Sequence, residues 1–181
     1  MNTPTMVASL VFAGVLVVLI AWLISRMLRG WRRRAERQIA LVGQLPTLPD
    51  TVGQAVVAPT KGLYVGSTLA PRWLDRIAAG DLGYRSKAVI TRYPEGIMVQ
   101  RSGASPIWIP QDSILLIRTE TGLAGKVVPA GRNGDGDPRG GILAIRWRLP
   151  SGTEIDTGFR GDNRGDYAKW LIGGADGAEI A

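Results

Sequence analysis

The chain has 181 residues, with 22 Lys plus Arg against 15 Asp plus Glu, no Cys and no His, for a formal net charge of +7. That length accommodates one domain and a short additional segment. Without His or Cys the chain cannot supply a Ser-His-Asp triad, a thiol nucleophile, a disulfide framework or the usual zinc ligand sets.

Residues 1–5 (MNTPT) form a short leader with no charged side chain. Met6 to Ser25 follow as twenty uncharged positions, twelve of them Leu, Ile, Val or Phe. A helix of that length rises about 30 Å, the thickness of a bilayer's hydrocarbon core. Each of those twelve side chains favours insertion by roughly 0.3 to 0.6 kcal/mol when it lies near the middle of the span. A soluble protein needs a larger body than this one to bury so uniformly apolar a helix. A signal peptide carries its positive charge before the apolar run, whereas here the arginines come after it. The positive-inside rule then predicts a single-pass protein of the cell's inner (plasma) membrane, with the N-terminus outside and everything after the span cytoplasmic. The absence of Cys fits that reducing compartment.

Between Arg26 and Gln38 lie six arginines and one acid, Glu36, which places +5 of the net charge there and leaves +2 for the rest of the chain. A nucleic-acid-binding domain carries its basic face on its folded part, so this distribution argues against nucleic acid as a partner. Residues 26–44 are predicted to continue the helix as a basic juxtamembrane segment. Arg26, Arg29, Trp31, Arg32, Arg33, Arg34 and Arg37 are its expected contacts with the membrane surface, with Met27, Leu28, Trp31 and Ile39 turned toward lipid. Near an anionic leaflet each arginine contributes about 1 kcal/mol, and indole rings such as Trp22 and Trp31 favour the interface. The run reads as a stop-transfer and orientation signal, as a sensor of anionic lipid, or as a contact for a partner membrane protein.

Residues 45–60 contain three prolines and no periodicity, which reads as a linker. The pattern then changes to short alternating runs between Gly and Pro turns. It predicts seven strands, over 62–69, 85–92, 97–101, 106–109, 113–119, 141–149 and 153–159, in an antiparallel barrel or sandwich. A short helix is expected over Arg72 to Ala79, opened by Pro71 and ended by Gly80.

Two hairpins follow from the alternation. In the later one Leu143, Ile145, Trp147 and Leu149 share one face, and Pro150-Ser151-Gly152 supplies the turn. With Leu149 opposite Thr153, Trp147 faces Ile155 on the buried side, while Arg148 faces Glu154 and Arg146 faces Asp156 on the solvent side. A slip of one residue would break both faces. The earlier hairpin turns at Tyr93-Pro94-Glu95-Gly96 and brings Ile90 opposite Val99. A last helix is expected from Asp162 or Asn163 to Ile172, with an Asx N-cap and Gly173-Gly174 as terminator. Its Tyr167, Trp170 and Leu171 form one apolar face, suited to covering the open end of a small barrel. Residues 175–181 read as a tail.

Other chemistry is sparse. Asn133, Asp135 and Asp137 have the spacing that opens an EF-hand loop, but Pro138 stands where Gly is required and Ala144 where a bidentate Glu should be. No metal site is therefore expected, and Arg132 to Gly141 reads as a Gly-rich loop between strands. Glu154 and Asp156, a pair of neighbouring carboxylates, are accounted for by the arginines opposite them. No phosphate-binding Gly-rich loop is present, and no cofactor is implied.

The runs Gly62-Leu63-Tyr64-Val65-Gly66-Ser67-Thr68, Trp108-Ile109-Pro110 with Ser113-Ile114, Ala124-Gly125-Lys126-Val127 and Asp156-Thr157-Gly158-Phe159-Arg160 carry a family resemblance. With seven strands and one C-terminal helix, the chain resembles single-pass actinobacterial membrane proteins with a cytoplasmic bacterial pleckstrin-homology-like (PH-like) domain. The resemblance implies a mainly β fold: a PH-like seven-stranded barrel or sandwich over residues 61–174, capped by a helix. It implies no enzymatic activity, and members of that group are often described as membrane, export or transporter-associated proteins. Phosphoinositide-binding relatives gather Lys and Arg across the first two strands, whereas Lys61, Arg72, Arg76, Arg85 and Lys87 are dispersed here.

The expected function is a non-enzymatic, membrane-anchored interaction or scaffold module whose partners are the anionic inner leaflet and a membrane or cytoplasmic protein. The alternatives are an accessory subunit of an export or transport assembly, and an anionic-lipid sensor acting through the arginine run. A solitary span without intramembrane charge cannot itself form a transport pathway.

Overall fold

The computed structural model describes residues 3–127 and 141–172. Its first element, α1 (Thr3–Val42), is one unbroken helix of 40 residues, about 60 Å of rise. Met6–Gly30 within it is long and apolar enough to cross a membrane, and none of that stretch is buried inside the protein. The helix ends where Gly43 adopts φ 63° and its N–H donates to the Ile39 carbonyl at 2.8 Å. This left-handed cap is open to Gly at little cost.

The remaining elements are β1 (Val57–Leu69), β2 (Ser86–Tyr93), β3 (Gly96–Arg101), β4 (Ile107–Pro110), β5 (Ile114–Glu120), β6 (Gly122–Leu123), β7 (Lys126–Val127), β8 (Ile142–Arg148), β9 (Glu154–Gly161) and α2 (Tyr167–Ile172). Seven strands form one antiparallel sheet in the order β4-β3-β2-β1-β9-β8-β5, and β6 with β7 forms a separate hairpin. The seven strands expected from the alternation are these seven, with shifted ends. The largest shift is in β1, which begins five residues early, inside the expected linker, with Val57 buried.

Strand β1 connects the two halves of the sheet. Its first part pairs with β2 from Val57 to Tyr64, and its second part with β9 from Gly62 to Leu69. The register shifts between Tyr64 and Gly66, where Gly66 takes φ 131°. A bulge with Gly at the irregular position lets a strand bend from one layer to the next. The sheet therefore wraps around a core in which Tyr64, Ile90, Ile97, Ile145, Trp147, Ile155 and Phe159 are almost wholly buried.

Both hairpin registers are as the alternation predicts. Arg148 pairs with Glu154, Trp147 with Ile155 and Arg146 with Asp156, and Leu149 N–H donates to Thr153 O at 2.9 Å. Ile90 lies opposite Val99. The C-terminal helix begins as a turn of 3-10 helix at Arg164–Asp166, with Asn163 Oδ1 accepting from Gly165 N–H at 3.1 Å. Tyr167 and Trp170 are fully buried against the sheet, and Trp170 Nε1 donates to Thr60 Oγ1 at 3.1 Å.

Two expectations fail. Arg72 to Ala79 is not helical. Its backbone runs along the rest of β1, with Leu69 N–H bonded to Asp75 O, Ile77 N–H to Ser67 O, and Ser67 N–H to Leu82 O. Strand β2 reaches only as far as Tyr64, so β1 has unpaired groups beyond it, and this segment satisfies them in place of a local helix.

The second failure concerns the solvent side of the later hairpin. Arg148 and Glu154 do lie in solvent, but Asp156 is 1% exposed. The β6–β7 hairpin folds over that face, and Leu123 joins Val65, Ala124, Ile142 and Ala144 in a second apolar cluster. The loop carrying Asn133, Asp135 and Asp137, the Gly173-Gly174 terminator and the tail lie outside the described residues.

Candidate functional site

Among the expected membrane-surface residues, Arg26 and Arg29 are exposed and reach back along α1. The Arg26 guanidinium lies over the Trp22 ring, 5.2 Å from its centroid. Arg29 Nε donates to Ser25 O at 3.3 Å. Helical side chains lean toward the N-terminus, so both charges sit level with the last turn of the apolar stretch. For Trp31, Arg32, Arg33, Arg34 and Arg37 the helical backbone is described and the side chains lie outside the described residues.

Below these arginines the helix docks on the folded domain. Gln38 is 5% exposed; its Oε1 accepts from Ala78 N–H at 2.6 Å and its Nε2 donates to Arg76 O at 3.5 Å. Leu41 O, one of the terminal carbonyls without an intrahelical donor, accepts from Ser151 Oγ at 2.6 Å and Thr153 Oγ1 at 2.7 Å. Val42 is buried in the main core and Leu45 packs against it. Sequence reasoning missed this junction. Its one legible sign is the change at residue 38 from an arginine-rich run to Gln-Ile-Ala-Leu-Val.

The segment that receives Gln38 is itself fixed. Asp81 accepts from Arg101 Nη2 at 2.6 Å and from Ser105 N–H at 2.8 Å, and the Arg101 side chain is wholly buried over the Tyr64 ring. Burial alone would raise the Asp81 carboxyl, but these donors outweigh it and hold the group below its ordinary value. Tyr64 Oη bonds Leu82 O at 2.6 Å and Ser67 Oγ at 2.9 Å, continuing through Thr157 to Trp147 Nε1. Burial pushes the Tyr64 phenol up to about 12.

Between α1 and this segment runs a groove of about 430 Å³, lined by Met27 and Gly30 on the helix side and by Arg76, Ile77, Tyr84 and Arg85 opposite. Of the dispersed cations noted in the sequence, Arg76 and Arg85 therefore share one cleft, while Lys61, Arg72 and Lys87 do not line it.

A second charged cluster has its bonds internally satisfied. Asp156 receives four hydrogen bonds, two each from Arg118 and Arg146, at 2.8 to 3.1 Å. Burial alone would raise its pKa, but these bonds hold it below the ordinary carboxylate value. Arg118 also bonds Glu120 at 2.6 Å. Such a closed set stabilises a fold and leaves the carboxylate no lone pair poised for acid–base work. Among the described residues no group of three or more Asp or Glu has the geometry to hold a metal ion.

A family model described as "Bacterial PH domain-like" matches residues 42–173. No curated protein and no solved structure matches the chain. The matched stretch begins at Val42, the residue by which α1 enters the core.

Proposed function

From the chain's membership of the bacterial PH domain-like family, we propose that it is a non-enzymatic interaction module, anchored by α1 in the inner membrane with its PH-like domain in the cytoplasm. PH-like domains are generally non-catalytic. The observation that carries the reading is the continuity of α1, from an apolar stretch of membrane-spanning length into the domain core at Val42. An anchor joined in this way confines the domain to the membrane surface and raises its local concentration for partners there. The arginine run, Arg26, Arg29, Arg32, Arg33, Arg34 and Arg37 with Trp31, meets the anionic leaflet in this reading. Among the described residues the sheet ends in β4 and β5, each paired with a strand on one side, and β5 exposes Leu115 and Leu116. An exposed apolar edge is suited to strand addition by a partner polypeptide.

Crosslinking in intact membranes, read by mass spectrometry, tests this by comparing the full chain with a control retaining residues 1–44. Partners captured only by the full chain support the module. Capture of the same multispan proteins by both chains would transfer the function to the membrane segment and favour an accessory role in transport. Capture that disappears in high salt in both chains would favour the lipid-sensing reading, because exposed charge contacts are screened.

A further inference from the structure

The groove between α1 and residues 76–85 lies where the apolar stretch ends, since its helix wall is Met27 and Gly30 and the candidate span closes at Gly30. Its lining is divided in character: Met27 and Ile77 are apolar, Tyr84 is exposed and amphipathic, Arg76 and Arg85 are cationic, and none of the described lining residues is acidic. Among the described residues no carboxylate forms an ion pair with either arginine. Arg76 Nη2 is taken by Val65 O at 2.8 Å, but its buried Nε has no hydrogen-bond partner. Burial and the charge of Arg85 both lower the pKa of Arg76, as expected where two guanidiniums share a cleft without an anion.

The helix wall is open rather than collapsed. A Cβ built at Gly30 meets nothing within 4 Å, so the absence of a side chain there preserves the space. Both walls are held by the contacts of Gln38 with Ala78 and of Asp81 with Arg101.

We propose that this groove seats one anionic phospholipid of the adjoining leaflet, its phosphate toward Arg76 and Arg85 and its glycerol and upper acyl chain along Met27, Gly30 and Ile77. A membrane lipid fits better than free phosphate because the lining continues the apolar surface of the span. The proposal rests on α1 crossing the bilayer and is separate from the identity of any protein partner.

The test uses the full chain reconstituted in nanodiscs of equal phosphatidylglycerol and phosphatidylcholine, with retained lipids counted by native mass spectrometry after delipidation. The expected result is one phosphatidylglycerol retained in preference to phosphatidylcholine. Arg85→Gln and Gly30→Phe should each lower that preference by about tenfold, the first by removing charge and the second by filling the space. Among the described residues neither substitution touches a side-chain hydrogen bond of the domain, and Arg148→Gln should leave the preference unchanged. Equal retention of the two lipids would overturn the proposal, as would a preference that survives both substitutions or is displaced by inorganic phosphate. Fractionation before extraction separates this from the anchor: a chain that stays with membranes but ignores headgroup charge overturns the groove alone. A chain released without detergent overturns the anchor beneath it.

Discussion

At the residue scale, the distinction that matters is between charges in solvent and charges under cover. Arg148 and Glu154 keep 56% and 40% of their side-chain surfaces exposed, and a pair of this kind contributes under about 1 kcal/mol. Asp156 keeps 2% of its side-chain surface, and its removal takes both carboxylate bonds from Arg146 and leaves Arg118 with Glu120 alone. The Arg118 and Arg146 side chains retain 23% and 25% exposure and can partly rehydrate, so Asp156→Ala should cost about 3 kcal/mol, the lower end for breaking a buried pair. Arg148→Ala should be near neutral, and thermal melting of the full chain followed by near-ultraviolet circular dichroism compares the two. Acid supplies a second readout. The Asp156 and Asp81 carboxyls are both held below their ordinary value of 3.8, so their stabilisation is present above about that pH. It is lost as pH falls through their lower folded-state values. The wild-type melting temperature should therefore drop below pH ~4, and less steeply in Asp156→Ala, where one of the two carboxylates is gone.

At the element scale, α1 and the segment after β1 depend on each other. The segment loses its expected helix because β1 offers it hydrogen bonds, and its Ala78 N–H then finds an acceptor in Gln38. Removing that acceptor leaves a part-buried donor unsatisfied, at about 1 to 3 kcal/mol for local opening. Gln38→Ala should accordingly speed hydrogen exchange at the Ala78 amide by about tenfold or more, with amides of β8 and β9 unchanged. Unchanged exchange at Ala78 would show that α1 does not hold the segment. The β6–β7 hairpin is the other element with influence beyond its size. Its turn places Ala124 at φ 50° and Gly125 at φ 69°, as a two-residue hairpin turn requires. Leu123 then packs so closely on β9 that a Cβ at Gly158 would collide with it.

For the whole molecule, α1 runs on to Val42, well past the membrane-length stretch that closes at Gly30, yet the domain does not hang from its far end. Seventeen residues from Arg26 to Val42 rise about 25 Å, but residues 76–85 return to line a groove with Met27. In the proposed anchoring this would bring the domain to the headgroup layer, and Trp73, Leu74 and Tyr84 are exposed on the segment that follows β1. The proposed topology is directly measurable because the natural chain has no cysteine. A membrane-impermeant thiol reagent applied to intact cells should label Thr5→Cys and leave Ser102→Cys unlabelled until the cells are opened. The reverse pattern would invert the orientation.

The amino-acid sequence by itself determined the membrane-length helix, the antiparallel class, the seven principal strands, two hairpin registers and the covering role of Tyr167 and Trp170. Each is written in local periodicity: twenty uncharged positions, alternation of period two, or an i, i+3, i+4 face. Only the tertiary structure decided that Asp156 is buried, because Arg118, which bonds it from β5, and the β6–β7 hairpin beside it both lie outside its own hairpin and leave no trace in its periodicity. Only the tertiary structure, likewise, converted the expected helix after Pro71 into a partner for β1 and brought Arg76 and Arg85 opposite Met27 and Gly30. The reason is physical. Local pattern reports which face of an element is apolar, whereas the competition for unpaired backbone groups and the meeting of residues fifty positions apart are settled only when the chain closes on itself.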